Sequence, residues 1–259
     1  MTTEPDPHAT LPLVELFGPT VQGEGPRAGQ RAAFVRLGRC NLACAACDTP
    51  YAWDSTRYRM DDEITMVEVG KLLVDLIVIG MNLPLSLVVL TGGEPLLHQQ
   101  RPALRTLVEQ ITGNVTLDGD RMPACTVQVE TNGTVIPSRW LLDLVDAQRV
   151  HLVASPKVTG PLATDLLHKR IRPNVIRVLA STPSTVFKLV AATAADVVRI
   201  DAFAGQYGID PDRVWVMPAG ATPDELATSS AQVADAVTHY GFNVSPRLQV
   251  MLWPGERGR

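Results

Sequence analysis

Hydrophobic and polar positions along the 259-residue chain switch repeatedly between a strand period and a helix period. Residues 31–37, Arg-Ala-Ala-Phe-Val-Arg-Leu, predict a first core strand. Thr65, with Glu68 three residues later, has the form of a capping box and predicts a helix whose apolar stripe runs through Ile79. The unbroken apolar run 87–90 stops at Thr91-Gly92-Gly93 and predicts a strand buried on both faces. A helix is expected from about Pro102, a strand over 126–130, a helix capped by Ser138, and a strand over 150–154. Two readings compete over 174–207: a strand at 185–190 followed by a helix from Ala194 capped by Thr193, or a strand at 197–200. A sixth strand at 214–217 and a helix over 223–240 complete the pattern.

Strands alternating with helices predict a parallel sheet with right-handed crossovers. Six units fall short of a closed eightfold barrel, which leaves a partial barrel or an open doubly wound sheet. Either places the site at the C-terminal ends of the strands. Thr91-Gly92-Gly93-Glu94, Glu130-Thr131-Asn132, Ser155-Pro156-Lys157 and Met217-Pro218 all fall there. No linker interrupts the units, so one domain over 1–259 with short terminal extensions is expected.

Composition narrows the classes further. With 46% hydrophobic and 19% charged residues the chain can bury a core, which excludes wholesale disorder. Its net charge of −4 gives no electrostatic case for a dedicated nucleic-acid binder. The start carries Glu4 and Asp6 among prolines, unlike a signal peptide. The uncharged run 76–93 contains Gly80, Asn82, Pro84 and Ser86, and reads as a helix end, a loop and a strand rather than a membrane span. A cytoplasmic protein is expected, and there clustered cysteines serve metals or redox chemistry more often than disulfides.

Three of the four cysteines, Cys40, Cys44 and Cys47, stand in C-x₃-C-x₂-C spacing just after the first strand. Soft thiolates on one loop suit zinc or an iron–sulfur cluster. Cys125 opens a strand and is expected in the core, and His98 and His151 are possible fourth ligands at element ends. Three thiolates without an obvious fourth suggest a cube whose last iron takes a non-protein ligand.

The spacing and the Thr91-Gly92-Gly93-Glu94-Pro95 run that follows resemble the radical S-adenosylmethionine superfamily, which implies a partial (β/α)₆ barrel with a six-stranded parallel core. The resemblance narrows to the 7-carboxy-7-deazaguanine synthase family through Phe17-Gly18-Pro19-Thr20-Val21-Gln22-Gly23-Glu24-Gly25, Phe34-Val35-Arg36-Leu37-Gly38-Arg39-Cys40-Asn41-Leu42, Cys47-Asp48-Thr49 with Tyr51 and Trp53, Glu130-Thr131-Asn132-Gly133 and Ser155-Pro156-Lys157. It implies a carbon–nitrogen lyase that turns 6-carboxy-5,6,7,8-tetrahydropterin into 7-carboxy-7-deazaguanine with loss of ammonia, through hydrogen abstraction by a 5′-deoxyadenosyl radical. Cys40, Cys44 and Cys47 would hold a [4Fe–4S] cluster. Ala46, Cys47, Asp48, Gly93, Glu94, Ser155, Pro156, Lys157, Met217 and Pro218 would contact S-adenosylmethionine. Val21, Gln22, Gly23, Glu24, Arg36, Thr91 and Gln249 would surround the pterin, and Thr49 would ligate Mg²⁺. A flavodoxin- or ferredoxin-type donor, a homodimer, and no nucleic-acid or membrane partner complete what the resemblance implies.

Side-chain chemistry agrees with these roles. A Gln amide both donates and accepts, a Glu accepts from ring N–H groups, and an Arg can grip a carboxylate with two parallel bonds. Each has a plainer alternative: Arg36 paired with a structural carboxylate, Thr49 turning its loop, Gln22 serving turn chemistry, and Glu94 or Glu130 bonding loop backbone. Two departures stand out. The long insertion many members carry between the first two cysteines is absent. Pro246-Arg247-Leu248-Gln249 stands where members often have Pro-Gln-Leu-His, so Gln249 replaces a histidine expected at the substrate and cannot titrate. Two other readings are a radical activase acting on a glycyl-radical partner protein and a non-enzymatic zinc-binding module.

Overall fold

In the computed structural model, residues 6–81, 84–113, 115–117, 120–159 and 170–259 are described. Glu4 and Asn82, cited above against a signal peptide and a membrane span, lie outside them. The elements in chain order are β1 (Thr10–Val21), β2 (Arg31–Leu37), α1 (Met60–Glu63), β3 (Thr65–Glu68), α2 (Val69–Gly80), β4 (Leu87–Gly92), α3 (Pro102–Ile111), β5 (Val115–Leu117) and β6 (Asp120–Met122). They continue with β7 (Thr126–Thr131), α4 (Arg139–Asp146), β8 (Val150–Ala154), α5 (Pro173–Ser181), β9 (Val186–Ala191), α6 (Ala194–Tyr207), β10 (Val214–Pro218), α7 (Pro223–His239), β11 (Asn243–Val244) and α8 (Leu248–Leu252).

One nine-stranded sheet has the order β11-β10-β9-β8-β7-β4-β2-β1-β3. From β2 to β10 the six strands are parallel and lie in the order of the chain, the arrangement of a (β/α)₆ partial barrel. At one edge β1 pairs antiparallel with β2, and β3 with β1. No helix among the described residues is long and apolar enough to cross a membrane.

Strict alternation along the parallel strands gives the sheet two faces. Ala33, Val35, Leu37, Val88, Leu90, Val127, Val129, Leu152, Ala154, Phe187, Leu189, Val214 and Val216 pack with the helices in the main core. Each fully buried Leu or Phe there contributes about 1.5–3 kcal/mol. The opposite, inner face holds a small apolar floor of Ala32, Leu87 and Val89 with Phe34. By the same alternation Arg36, Thr91, Gln128, Glu130, His151, Lys188, Trp215 and Met217 belong to this inner face. A core strand so rich in polar residues on one side marks where the chemistry sits.

Several local readings are refined. Thr65 to Glu68 form no helical turn; they are β3, paired with β1 from Thr10↔Glu68 to Leu13↔Thr65. The backbone of β1 needs a partner on its outer edge, and a strand there satisfies it. The helix begins at Val69, where its buried set Val69, Leu72, Leu73, Leu76 and Ile77 begins. Between the competing strands of 174–207, β9 is the strand, and α6 starts under a Thr193/Asp196 capping box. Ser138 takes the N-cap position of α4, but its hydroxyl makes no capping bond. Strand β1 escaped prediction because Pro12, Gly18 and Pro19 break its alternation, and its pairing is correspondingly irregular.

Candidate active site

The cysteine loop is set by contact between two strand ends. Gly93 N–H donates to Leu37 O at 2.9 Å, and Glu94 N–H to Arg39 O at 2.8 Å. A Cβ at residue 93 would lie 1.8 Å from Arg39 O and 3.0 Å from Cys40 N, so only glycine permits the approach. Arg39 itself turns at φ 76, which launches the loop away from β2.

N–H donors converge on the thiols: Leu42 N–H at 3.5 Å and Asn132 Nδ2 at 3.8 Å on Cys40, and Trp53 Nε1 at 3.3 Å on Cys47. Burial pushes Cys40 up to about 11. It also raises Cys44, against the opposing pull of Lys157 and Arg170. Metal loading must therefore release thiol protons. Among the described residues no three His, Cys, Asp or Glu side chains converge tightly enough to chelate a single ion. His98 is buried and bonded to Gly38 O at 2.8 Å, and Cys125 is a buried core thiol.

Glu94, expected at the cofactor, has a side chain turned to the loops. It is fully buried, and both its oxygens are occupied: Oε1 by Leu96 N–H and the Thr131 hydroxyl, Oε2 by Asn132 N–H. Burial pushes its carboxyl up to about 7, against those donors. Its side chain braces the loops, and the carboxylate reaches the cysteine loop through Asn132.

Glu130 takes the other course and bonds side chains alone. Its Oε1 accepts from Gln22 Nε2 (3.3 Å), Gln128 Nε2 (3.2 Å) and Lys188 Nζ (3.2 Å), and its Oε2 from the Thr91 hydroxyl (2.9 Å). Lys188 also donates to Glu24 Oε2 at 2.6 Å. Glu24 Oε1 accepts from Arg247 Nε at 3.1 Å and Gln249 Nε2 at 2.6 Å. Burial alone would raise Glu24; Lys188 and Arg247 overcome it and hold the carboxyl at about 2.

The tail builds one wall of this pocket. Leu248 N–H donates to Gly23 O at 3.0 Å, and Ser245 Oγ accepts from Gly25 N–H at 2.8 Å. Gln249 presses on Gly23, where a Cβ would come within 1.8 Å of its Oε1. The Gln249 amide N–H₂ thus grips Glu24.

Arg36 donates through Nε to Glu15 at 2.5 Å, and Glu15 also accepts from Tyr51 at 3.2 Å and Arg257 at 3.0 Å. The plainer reading of Arg36 is therefore realised on one edge of its guanidinium. Asp48, exposed on the cysteine loop beside Ala46, reaches Arg247 at 3.5 Å and so links the loop to the pocket. Thr49 is buried, with its hydroxyl 3.7 Å from Cys47 Sγ, and precedes the turn Pro50–Ala52. Lys157 donates to Ser155 at 3.1 Å, Pro156 packs under Gly133, and Met217 and Pro218 end β10. Val21 ends β1 immediately before Gln22.

Lys188, Gln128, Glu15 and Arg247 were missed from the sequence. The readable signal was Lys188: a lone lysine in the apolar run Val186–Ala191 must be paired or exposed.

Comparison with known proteins bears on this arrangement. A model of the 4Fe-4S single cluster domain matches residues 21–135. The 7-carboxy-7-deazaguanine synthase of Pyrobaculum aerophilum is 33% identical over 247 residues, covering 95% of this chain and 96% of that one. The enzyme of the same name from Hyperthermus butylicus is 33% identical over 255 residues, covering 95% and 94%. The crystal structure of QueE from Escherichia coli matches with a TM-score of 0.63 at 20% identity, over 91% of this chain and 93% of that one, a likeness of fold.

Proposed function

Because the chain belongs to the 7-carboxy-7-deazaguanine synthase family, we propose that it is a radical S-adenosylmethionine lyase converting 6-carboxy-5,6,7,8-tetrahydropterin to 7-carboxy-7-deazaguanine. The observation that carries this reading is the inner-face pocket of Gln22, Glu24, Thr91, Glu130 and Lys188, joined to the cysteine loop through Arg247 and Asp48. A glycyl-radical activase, whose substrate is a partner's backbone, has no need of such a pocket.

Substrate and product differ by one ammonia with no net oxidation, so the enzyme must initiate a rearrangement and then release what it started. When bound at Cys40, Cys44 and Cys47, the [4Fe–4S] cluster with S-adenosylmethionine supplies the hydrogen-abstracting radical. The chain's part is to bind, orient and exclude water. Glu24, Gln22 and Thr91 face the ring's N–H and carbonyl groups, with Val21, Gly23 and Gln249 closing around them. Arg36, its Nε held by Glu15, has its terminal nitrogens left to bind the substrate carboxylate. Ala46, Asp48, Gly93, Ser155, Pro156, Lys157, Met217 and Pro218 line the cofactor's place on the strand ends.

Mg²⁺ at the Thr49 hydroxyl would draw its remaining hard oxygen ligands from substrate and water. The reading extends to one domain over 1–259, supported by the single nine-stranded sheet, and to a cytoplasmic homodimer reduced by a flavodoxin- or ferredoxin-type donor.

The test is anaerobic turnover of the carboxypterin with reconstituted cluster, S-adenosylmethionine and reductant. Deazaguanine and ammonia should appear in equal amounts; no product from cluster-loaded protein would overturn the reading. Thr49→Ala should weaken Mg²⁺ dependence, and activity that never depends on Mg²⁺ would remove that ion from the site.

A further inference from the structure

We propose that Lys188 is a positioning residue that holds Glu24 and Glu130 as a pair of ionised acceptors and so makes a neutral, N–H-rich ring edge the group this pocket selects. The inference rests on the deazaguanine synthase reading for the identity of the ring, and it names the residue that sets recognition.

Lys188 is 5% exposed and bridges two carboxylates, Glu24 and Glu130, from separate parts of the chain. Two carboxylates brought to one site without a cation cannot both stay ionised; one takes up a proton and becomes a donor. With Lys188 and Arg247 present, two positive charges face two negative ones, and both carboxylates remain acceptors. The flanking strands add little charge: β8 offers His151, in register with Gln128, and β10 offers Trp215, in register with Lys188. Arg27 is the nearest charge acting on His151, and Asp48 touches Arg247 from outside.

Counting bonds shows what the pocket lacks. A carboxylate oxygen accepts about two hydrogen bonds. Oε1 of both Glu24 and Glu130 is filled, whereas Oε2 of each carries one donor only, Lys188 on Glu24 and Thr91 on Glu130. The amides of Gln128 and Gln249 are oriented by the carboxylates they serve, so their oxygens face away, and both Oε1 atoms are buried without a donor. Two acceptor positions, on Oε2 of each carboxylate, thus await donors. The amino and amide N–H groups of a neutral 2-amino-4-oxopyrimidine ring supply them. An electron-poor analogue lacking the amino group would leave buried acceptors unpaired, which is the penalty on which such discrimination rests.

The experiment compares wild type, Lys188→Met and Lys188→Arg, each loaded with cluster. Lys188→Met should raise KM for the carboxypterin at least tenfold with a much smaller change in kcat, and S-adenosylmethionine affinity and iron content should stay as in wild type. Its kcat/KM should gain an acid limb, rising with pH as the proton shared by the carboxylates is lost, and Lys188→Arg should remove most of that limb. A folded Lys188→Met with unchanged KM and pH profile overturns the proposal, as does a loss of activity that only follows loss of iron.

A second measurement does not depend on turnover. Infrared difference spectra between pH 5 and 8 of substrate-free protein should show in Lys188→Met, beyond the Glu94 signal that wild type shares, a second titrating carboxyl that adding Glu24→Gln abolishes. If Lys188→Met fails to fold, Lys188→Gln with Glu24→Gln, which keeps the pocket neutral, should fold and still show the raised KM; wild-type KM in that variant overturns the proposal. The second carboxyl in Lys188→Met together with a wild type that makes no deazaguanine would reject the functional reading and leave the role of Lys188 intact.

Discussion

The backbone N–H of Asn132 donates to Glu94 Oε2 at 2.7 Å, tying the loop after β7 to the loop after β4. Held in this way, the Asn132 side chain donates to Asn41 Oδ1 at 2.9 Å and reaches Cys40 Sγ at 3.8 Å. A carboxylate that touches no cysteine thereby positions a donor on one.

Replacing Glu94 with Gln puts an N–H₂ group among backbone N–H donors and should cost about 1–3 kcal/mol. The pH dependence follows from its raised carboxyl, about 7 against an ordinary 4.5. Its contribution is full below about 4.5 and is lost as pH rises through 7, because the native state holds the proton more tightly. Melting temperatures from pH 5 to 8 should fall less steeply in Glu94→Gln than in wild type; parallel curves would remove Glu94 as the titrating group.

Glu24 has the opposite sign. Its carboxyl lies at about 2 in the fold, so its contribution is present above 4.5 and is lost as pH falls toward 2. Urea unfolding of wild type and Glu24→Gln should differ at pH 7 by on the order of 3 kcal/mol. The gap should close on acidification, and a constant gap would point to packing instead.

Gly93→Ala forces a methyl group onto Arg39 O, and the nearest atoms are backbone that cannot swing aside. The expected loss is about 1–3 kcal/mol or more, with lower iron content after reconstitution because the cysteine loop is displaced. Normal iron and normal stability together would show that the strand ends can separate without penalty.

Among the cysteines, Cys44→Ala should abolish the visible absorbance of the cluster. Cys125→Ala should keep it and lose only about 1 kcal/mol of packing, since Cys125 is a buried thiol at the start of β7. Iron and sulfide analysis of the two variants separates ligand from core residue.

Trp53→Phe keeps an aromatic ring but removes the N–H directed at Cys47 Sγ. Donors to cluster sulfurs stabilise the more negative, reduced state. The reduction potential followed by electron paramagnetic resonance should therefore fall while iron content holds; an unchanged potential would mean that the indole N–H leaves the sulfur once the cluster is bound.

The local code was strong wherever one segment satisfies itself. The six parallel strands, the Thr193 cap of α6 and the cysteine spacing depend on periodicity, capping and turn chemistry within a few residues, and all were readable. The edge strands β3 and β11 were not, because a strand at the edge of a sheet is defined by its partner's unpaired backbone, which lies elsewhere in the chain, and β1 was hidden by the prolines and glycine that break its alternation. Arg36 shows the same limit: its residue type and strand were legible, while Glu15, 21 residues earlier, became its partner only when β1 folded against β2.

Residue types and spacing thus carry the alternating strand–helix plan and the motifs of the family resemblance, since each rests on what a short stretch holds by itself. The state of the buried charges belongs to tertiary structure. Whether Glu94 braces backbone while Glu130 gathers side chains depends on which donors reach each carboxylate through space. A bond 164 residues long in sequence, Lys188 to Glu24, helps hold the Glu24 carboxyl low. Electrostatic energy depends on distance and burial, and neither exists until the chain has closed.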